Sequence, residues 1–234
     1  MRNGLNLVLL GPPGAGKGVQ AAKLASRFQI PHISTGKLLR GEVAAGTADG
    51  KAAAGYMARG LLVPDDLVLR LVRHELTQPA AQRGFILDGF PRTVLQAQAL
   101  ELLLSEFNRS LTAVIFLQVP DEVIIDRLAG RLICPDCGAV YHVRYHPPVP
   151  GEICPACRTR LRSTSEGLIQ CEACTRPIQP REDDRPEVVR TRLKEYHKEV
   201  GPLLDYYRSR GLLREIDATG SEGQVFASIV GKCK

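Results

Sequence analysis

A glycine-rich loop between a strand and a helix constrains the fold of this chain more than any other feature of its sequence. The loop, Gly11-Pro12-Pro13-Gly14-Ala15-Gly16-Lys17, follows an apolar run at 5–10 that indicates a buried strand. Residues 18–28 then carry apolar positions three to four apart, as in an amphipathic helix. Glycines let backbone N–H groups curl around an anion, and the helix adds its N-terminal dipole. The pattern predicts a phosphate-binding loop, with Lys17 as a point charge for the outer phosphates.

Strand-like and helix-like segments alternate along the rest of the chain. Apolar runs at 85–88 and 113–119, and a weaker one at 212–216, indicate further buried strands. Helical stretches lie between these strands, near 66–77, 93–107, 122–130 and 187–209. This alternation predicts an α/β fold with a parallel sheet.

Composition narrows the class of protein. An apolar content of 44% supports a sizeable core, and no apolar run approaches the roughly 18 residues that a membrane span requires. Residues 1–4 run straight into the first strand without a cleavable apolar stretch, so we expect a cytoplasmic protein. The net charge is +6, with 23 Arg against 8 Lys. The arginine excess fits either a composition bias of the genome or guanidinium groups that bind phosphate or carboxylate.

Six of the seven cysteines lie within residues 134–174 and form three pairs, each with two residues between the thiols. In a cytoplasmic setting such pairs predict metal binding rather than disulfides. The first two pairs are separated by 16 residues, a spacing typical of a tetrahedral zinc site. Four thiolates leave no open position on the metal, so the zinc would be structural.

Several motifs together resemble the adenylate kinases. The loop at 11–18 is similar to the phosphate loop of that family, including Gly18 where other NTPases carry Ser or Thr. The other matches follow in the family's order: 33–36 with Arg40, 87–92 with Gln96, 126–131 and 140–143, 181–184, and 190–193. These anchors span residues 7–220 and match the long-lid form of the family with cysteines in its lid.

The resemblance implies a P-loop NTPase sandwich of three layers, with a five-stranded parallel sheet, an AMP-binding flap and a zinc-bearing lid. It assigns residues 1–33, 64–130 and 181–234 to the core domain, 34–63 to the flap and 131–180 to the lid. It implies the reaction ATP + AMP ⇌ 2 ADP, and hence a role in adenine nucleotide homeostasis. The expected substrates are ATP, AMP and ADP, with Mg²⁺ carried by ATP, in a cytoplasmic monomer without nucleic-acid or membrane partners.

The resemblance also assigns roles to individual residues. The implied ATP contacts are Gly14, Ala15, Gly16, Lys17, Gly18, Val19, Arg127, Arg131, Val140, Tyr141 and Gly220. The implied AMP contacts are Thr35, Arg40, Leu61, Leu62, Val63, Gly89, Phe90, Pro91, Arg92, Gln96, Arg181 and Arg192. The residues implied to act on the phosphoryl group or its magnesium are Lys17, Asp88, Arg92, Arg131, Arg181 and Arg192.

Three positions bear on how well such a site would work. At Gly18 no hydroxyl is available for magnesium, so we expect phosphate oxygens, water and the remote carboxylate of Asp88 to hold the ion. Val19 stands where the family usually has Thr, and Lys37 stands where it usually has Asp. The loss of a hydroxyl and the reversal of a charge beside the AMP site predict activity that is reduced but not abolished.

The assignment of zinc ligands stays open between two sets. Cys154 and Cys157 have the family's spacing from the first pair, whereas Cys171 and Cys174 have the family's spacing to the motif at 181–184. We favour the set Cys134, Cys137, Cys154 and Cys157. The alternative set replaces the second pair with Cys171 and Cys174, and a third pair leaves room for a partial second site.

Other functions remain as alternatives at this stage. They are an NTP:NMP kinase with a different base preference, and a degenerate homologue that binds nucleotide with little turnover. A nucleic-acid-binding zinc protein that uses ATP as a switch is less favoured, because the basic residues fall on the predicted mononucleotide positions. Half of the net charge, +3, lies at 131–181, where a lid would meet polyphosphate.

Overall fold

A computed structural model describes residues 4–233 of the chain. Its strands are β1 Leu5–Leu10, β2 His32–Ser34, β3 Gly84–Asp88, β4 Ala113–Gln118, β5 Arg131–Ile133, β6 Val140–His142, β7 Leu161–Ser163, β8 Ile169–Cys171, β9 Gln179–Pro180 and β10 Leu213–Asp217. Its α-helices are α1 Lys17–Phe28, α2 Thr35–Ala45, α3 Ala48–Arg59, α4 Asp65–Thr77, α5 Val94–Glu106, α6 Asp121–Ala129, α7 Pro186–Arg208 and α8 Glu222–Lys232. Residues 1–3, on which the expectation about the start of the chain rests, lie outside the described part.

Five parallel strands form the central sheet in the order β10-β4-β1-β3-β2. This confirms the predicted α/β fold and its five-stranded sheet. The predicted strands and helices lie within one or two residues of the observed ones. Strand β2 was not predicted from the sequence, because a three-residue strand is too short to show a period.

Helices cover both faces of this sheet. Along β1, Leu7 and Leu9 pack with α1 and α8 on one face. Val8 and Leu10 pack with α4, α5 and α7 on the opposite face. Successive side chains of a strand point to opposite faces, so the continuous apolar run of β1 is explained by burial on both sides. The result is the predicted sandwich of three layers.

The region 131–180 forms small sheets of its own. Strands β6, β5 and β9 make an antiparallel sheet, and β7 pairs with β8 as a separate hairpin. The interior between them is largely cysteine sulfur, with Ala139, Tyr141, Leu161 and Ile178. A core this small needs support from another source, which a bound metal ion supplies in many small units.

Within residues 4–233, no helix combines the length and apolar character needed to cross a bilayer. The predicted division into core, flap and lid stays a prediction, and the terms "flap" (34–63) and "lid" (131–180) are used below for these segments.

Candidate active site

The glycine-rich loop leaves an open cradle at the carboxyl end of β1. Gly14 and Gly16 have φ of 86° and 89°, in the left-handed region that favours glycine. A Cβ placed on Gly16 would meet nothing within 4 Å, whereas one on Gly14 would lie 2.9 Å from Leu128 of α6. The loop is therefore closed against α6 on one side and open on the other, where α1 begins. Ala15 packs into the core, and Val19 is half-buried in the first turn of α1.

Lys17 folds back over this loop. Its Nζ donates to the backbone oxygens of Gly11, at 2.7 Å, and Pro12, at 2.8 Å. Burial lowers the pKa of Lys17 to about 8, while the charge of Asp88 opposes this shift. The amine lies near arginines and lacks a full counter-charge, so an anion in the cradle would restore its usual pKa.

Asp88 ends β3 beside the loop, at the edge of the sheet where such folds place their ligands. Its Oδ2 lies 3.3 Å from His32 Nε2, and 3.7 Å from where a Cβ on Gly18 would sit. Burial opposes ionisation of this carboxyl, but the contact with His32 and the charge of Lys17 lower its pKa. Asp88 is thus an anion at neutral pH. Sequence patterns predict no role for His32, because a histidine at a strand end carries no motif.

Two arginines of the lid are brought side by side by strand pairing. Leu132 of β5 pairs with Pro180 of β9, so Arg131 and Arg181 lie at the same end of the lid sheet. Arg131 Nε donates to Asp184 Oδ2 at 2.6 Å, and Arg181 Nε donates to Asp183 Oδ1 at 2.6 Å.

The two residues whose carboxylates accept from these arginines, Asp183 and Asp184, also accept hydrogen bonds from Arg192 of α7. Its Nη1 donates to the backbone oxygen of Asp183 at 2.9 Å and to Asp184 Oδ1 at 3.3 Å. Although burial opposes ionisation, the hydrogen bond from Arg181 holds the pKa of Asp183 well below its usual range. Asp183 and Asp184 belong to this cluster. Both lie in the motif at 181–184, but the sequence predicts no role for either.

Positive charge exceeds negative charge in this cluster. Burial and the nearby charge of Arg181 lower the pKa of Arg40 to about 10, and burial lowers that of Arg192 to about 10. Burial also lowers the pKa of Arg92. The structure thus brings together six cations and three carboxylates, namely Lys17, Arg40, Arg92, Arg131, Arg181, Arg192, Asp88, Asp183 and Asp184. A group of this kind suits a highly charged anion.

A cleft opens beside this cluster. Five predicted AMP residues line it together with Lys17 and two carboxylates of α7, and these residues are Leu62, Gly89, Pro91, Arg92, Arg192, Lys17, Glu195 and Glu199. Arg92 Nε donates to the backbone oxygen of Gly89 at 2.8 Å. Thr35 is buried, and its Oγ1 donates to the backbone oxygen of Asp88, next to Gly89, at 3.4 Å.

Gln96 lines a separate, smaller pocket with Asp65 and Phe90, and its amide is fixed by protein groups. Its Oε1 accepts from Arg92 N at 2.7 Å, and its Nε2 donates to Asp65 Oδ1 at 2.6 Å. Because a carboxylate only accepts, Asp65 fixes the orientation of the Gln96 amide. This partner is not predicted from the sequence.

Some predicted contact residues point their side chains elsewhere. Val63 and Phe90 are buried in the core cluster of the sheet, and Leu61 is half-buried. Tyr141 is 2% exposed and lies among the lid thiols, whereas Val140 is exposed on the lid surface. For the buried members of this set, only backbone atoms remain available to a nucleotide.

Arg127 and Gly220 lie together on the other side of the phosphate loop. Arg127 Nη2 donates to the backbone oxygen of Ala218 at 3.0 Å, in the same connection between β10 and α8 that contains Gly220. Both residues are predicted ATP contacts, and this hydrogen bond joins Arg127 to the connection that contains Gly220.

The lid thiols form two overlapping groups of four. Among residues 4–233, ligand atoms within 4.8 Å of one another occur in the set Cys134, Cys137, Cys171 and Cys174, and in the set Cys137, Cys154, Cys157 and Cys171. The set favoured from the sequence, Cys134, Cys137, Cys154 and Cys157, is neither of these. The alternative with Cys171 and Cys174 coincides with the first. The difference arises because the β7–β8 hairpin inserts Cys171 between the first two pairs.

The donor chemistry fits zinc. All seven cysteines are free thiols, and thiolates are preferred ligands of this ion. The hydroxyl of Tyr141 is buried and has no hydrogen-bond partner in the described part of the chain. Burial and the neighbouring Cys154 raise its pKa, so it stays a neutral donor among the sulfurs.

Lys37 extends toward the lid rather than into the AMP cleft. Its Nζ lies 4.0 Å from where a Cβ on Gly138 would sit, in the loop between the first two cysteines and β6. The charge reversal expected to affect the AMP site therefore lies between flap and lid.

Comparisons with known proteins agree with this geometry. The profile of a family described as Adenylate kinase matches residues 9–212. The chain is 45% identical over 218 residues to an adenylate kinase of Caldicellulosiruptor saccharolyticus, covering 93% of each chain. It is 45% identical over 226 residues to one of Moorella thermoacetica, covering 96% of each. It is 44% identical to one of Archaeoglobus fulgidus, over 92% of this chain and 91% of the other.

Proposed function

The chain belongs to the adenylate kinase family and transfers the terminal phosphoryl group of ATP to AMP, giving two ADP; we propose that the cluster of six cations and three carboxylates is the site of this transfer. Phosphoryl transfer needs little covalent chemistry from the protein. It needs two nucleotides held in line, their charge neutralised and water excluded. Each of these requirements corresponds to a feature of the site.

The phosphate loop supplies the ATP end. The open cradle at Gly16 exposes backbone N–H groups at the N-terminus of α1, where the helix dipole favours an anion. Lys17 Nζ donates only to carbonyl oxygens within this loop, and those bonds can be exchanged for stronger ones to phosphate. Arg127 and Gly220 would hold the base of ATP.

Magnesium, carried with ATP, would be held at Asp88 through water. The absence of a side chain at Gly18 leaves space in front of the Asp88 carboxylate, and that carboxylate is ionised. When bound, the ion neutralises phosphate charge. The residues present fit an arrangement in which Asp88 orients the water shell of the ion rather than the loop binding it directly.

The AMP end would lie in the cleft lined by Leu62, Gly89 and Arg92. Arg40 and Arg92 would hold its phosphate, and Gln96 would face its base. The Gln96 amide already has one orientation, because Arg92 N and Asp65 occupy its two ends. A fixed amide supports discrimination between bases, since a ligand with the wrong donor pattern leaves buried polar groups unpaired.

Asp183 and Asp184 would serve as internal counter-ions of the site's arginines before substrate binds. They accept the guanidinium groups of Arg131, Arg181 and Arg192 in the geometry that a phosphate would use. The two carboxylates position the arginines before the substrate arrives. Polyphosphate that enters the cluster then replaces part of these contacts. This preorganisation is a large source of rate enhancement in such enzymes.

The convergence of Arg131, Arg181 and Arg192 on two carboxylates beside Lys17 carries this proposal. A coupled assay of ADP formation from ATP and AMP, repeated with GMP, UMP and CMP, tests it. We expect ADP formation with AMP and at least tenfold lower rates with the other monophosphates. Comparable rates with another monophosphate would contradict the role of Gln96, and release of phosphate without ADP formation would contradict the site as a whole.

A further inference from the structure

We propose that the lid binds two zinc ions in a single six-thiolate cluster, in which Cys137 and Cys171 each bridge both ions. This goes beyond the single structural zinc that the sequence analysis expected. It concerns the metal content of the lid and does not depend on phosphoryl transfer, so the two proposals fail independently.

Counting the ligand positions leads to this arrangement. Two tetrahedral zinc ions need eight coordination positions. Six thiolates fill them only if two thiolates are used twice. The two groups of four thiols in the structure have two members in common, Cys137 and Cys171, and four that belong to one group each. The number of shared thiols is therefore the number that two ions require.

The separations of the sulfur atoms are compatible with zinc. A Zn–S bond of about 2.3 Å places the sulfurs of a tetrahedron about 3.8 Å apart. The Sγ atom of Cys137 lies 3.7 Å from that of Cys154, which belongs to the second group alone, and 4.0 Å from that of the shared Cys171. The four sulfurs of the first group lie within 4.8 Å of one another.

Two of the three cysteine pairs lie in turns with the same hydrogen bonds. In the first, Gly138 N donates to Cys134 O at 2.9 Å, and Cys134 N donates to Ala139 O at 2.9 Å. In the second, Arg158 N donates to Cys154 O at 3.0 Å, and Cys154 N donates to Thr159 O at 2.8 Å.

The residue after each of these pairs also has the same conformation. Gly138 has φ 74° and Arg158 has φ 63°, which is costly for a residue with a side chain. The 154–157 turn is therefore built as a metal knuckle like the 134–137 turn, and a single zinc in the first group would leave it without a metal.

The third pair is held in place by its own contacts. Cys171 ends β8, opposite Leu161 of β7. The Asp136 carboxylate of the first turn accepts from Thr175 N at 2.8 Å and from Arg176 N at 2.9 Å, directly after Cys174. These bonds fasten the third pair to the first turn and leave Cys171 between the other two pairs.

Charge does not oppose the second ion. One zinc with four thiolates carries a net charge of −2. A second zinc that recruits two more thiolates adds +2 and −2, so the net charge of the cluster is unchanged. Binding both ions releases six protons from six thiols to solvent. The buried hydroxyl of Tyr141, which has no partner among residues 4–233, can donate to one of these thiolates.

Native mass spectrometry of the full chain tests the proposal. The protein is produced with added zinc and passed over a chelating resin before measurement. We expect two zinc ions per chain, with a mass that also shows the loss of protons from the thiols. One zinc per chain would overturn the proposal.

Paired substitutions locate the two ions. We expect one zinc in Cys154→Ser/Cys157→Ser and one in Cys134→Ser/Cys174→Ser, and at most one in Cys137→Ser. Cys233→Ser is the matched control, because this buried thiol lies outside the lid, and it should retain two. Two zinc ions in either double variant would place the second ion elsewhere and overturn the cluster.

A measurement on the unsubstituted chain tests the bridges directly. With ¹¹³Cd in place of zinc, a shared pair of sulfurs gives two cadmium resonances that are coupled to each other. Two uncoupled resonances would contradict bridging by Cys137 and Cys171, even with two ions bound. This readout needs no variant that might fail to fold, and it does not involve activity.

Discussion

The nucleotide site and the lid metal centre each gather six side chains of one chemical kind, and they differ in how charge is balanced. The six cations of the nucleotide site face three carboxylates of the same chain, which leaves a surplus of positive charge for a substrate. The six thiols of the lid form most of the interior of their small unit, and metal ions would supply their counter-charge. The cations of the nucleotide site can exchange carboxylates for substrate phosphates, whereas the thiols of the lid are suited to retain a bound metal.

This difference predicts where substitutions act. In the nucleotide site they should change turnover with little effect on folding, because the sheet beneath has its own apolar core. In the lid, substitutions should change folding first, because the thiols that would bind metal also form most of the core.

Among single substitutions, the largest effect is expected for Lys17→Met. It removes the point charge at the phosphate loop, and the loss of one such electrostatic contact costs about 10²–10³-fold in turnover. Lys23→Met on the same helix is the matched control, since Lys23 pairs with Glu222 at the surface. The rates of ADP formation and the thermal midpoints of both variants are compared. Turnover within tenfold of the original for Lys17→Met would remove this residue from the mechanism.

Removal of zinc with a strong chelator should unfold the lid and leave the central sheet intact. Hydrogen exchange followed by mass spectrometry should show fast exchange across 131–180 and continued protection in β1 and β3. ADP formation should be lost as well, because β5 and β9 position Arg131 and Arg181. Unchanged protection of the lid after complete metal loss would show that its core folds without metal.

Asp136→Asn should weaken zinc retention by about 10-fold, since groups that orient metal ligands typically contribute at this level. The variant loses the charge that holds the backbone after Cys174. Transfer of zinc to a competing chelator measures the effect. Glu166→Gln, at an exposed turn of the same lid, is the control and should match the original chain. Equal transfer rates in all three proteins would rule out a positioning role for Asp136.

Binding of ATP should take up protons near pH 8. The pKa of Lys17 is lowered to about 8 by burial, so about half of the chains have a neutral amine at that pH. Phosphate raises the pKa again, so we expect uptake of about half a proton per ATP at pH 8, less at pH 7 and more at pH 9. Calorimetry in two buffers of different ionisation enthalpy measures it. Uptake that does not rise with pH would point to another group.

The smallest effects concern the two departures from the family pattern. A restored hydroxyl in Val19→Thr adds one hydrogen bond near the phosphates, which corresponds to about two- to tenfold in turnover. Lys37→Asp should bring no such gain, because Lys37 extends toward the lid at Gly138. Steady-state kinetics of both variants separate these expectations. Unchanged turnover in Val19→Thr would mean that valine in place of the family's threonine does not affect catalysis.

Local patterns explain how much of this could be predicted from the sequence. The phosphate loop and the strands β1, β3 and β4 depend on neighbouring residues, and they lie where the sequence predicts them. Helices α2, α3 and α8 are not among the predicted helices, although the capping box of Ser221 and Gln224 could have revealed the start of α8. The grouping of the thiols could not be predicted, because it depends on how the β7–β8 hairpin places Cys171.

The same limit applies to the counter-ions of the arginines. The motif at 181–184 shows that acidic residues follow Arg181, but sequence spacing does not show that Asp184 meets Arg131 from the far end of the lid. That contact requires the pairing of β5 with β9. Residues that act through tertiary partners are the ones that sequence patterns leave without a role.

The pairing of β5 with β9 also makes the positions of Arg131 and Arg181 independent of the chain between these strands. Arg131 and Arg181 lie at the two ends of a closed loop of chain, and their spacing is set by the register of β5 with β9, in which Leu132 pairs with Pro180 and Ile133 with Gln179. Chain added between those strands cannot move the two arginines apart. The hairpin that carries the third cysteine pair lies in this loop, so the lid is free to lengthen and to change its metal while the phosphate contacts at its base stay constant.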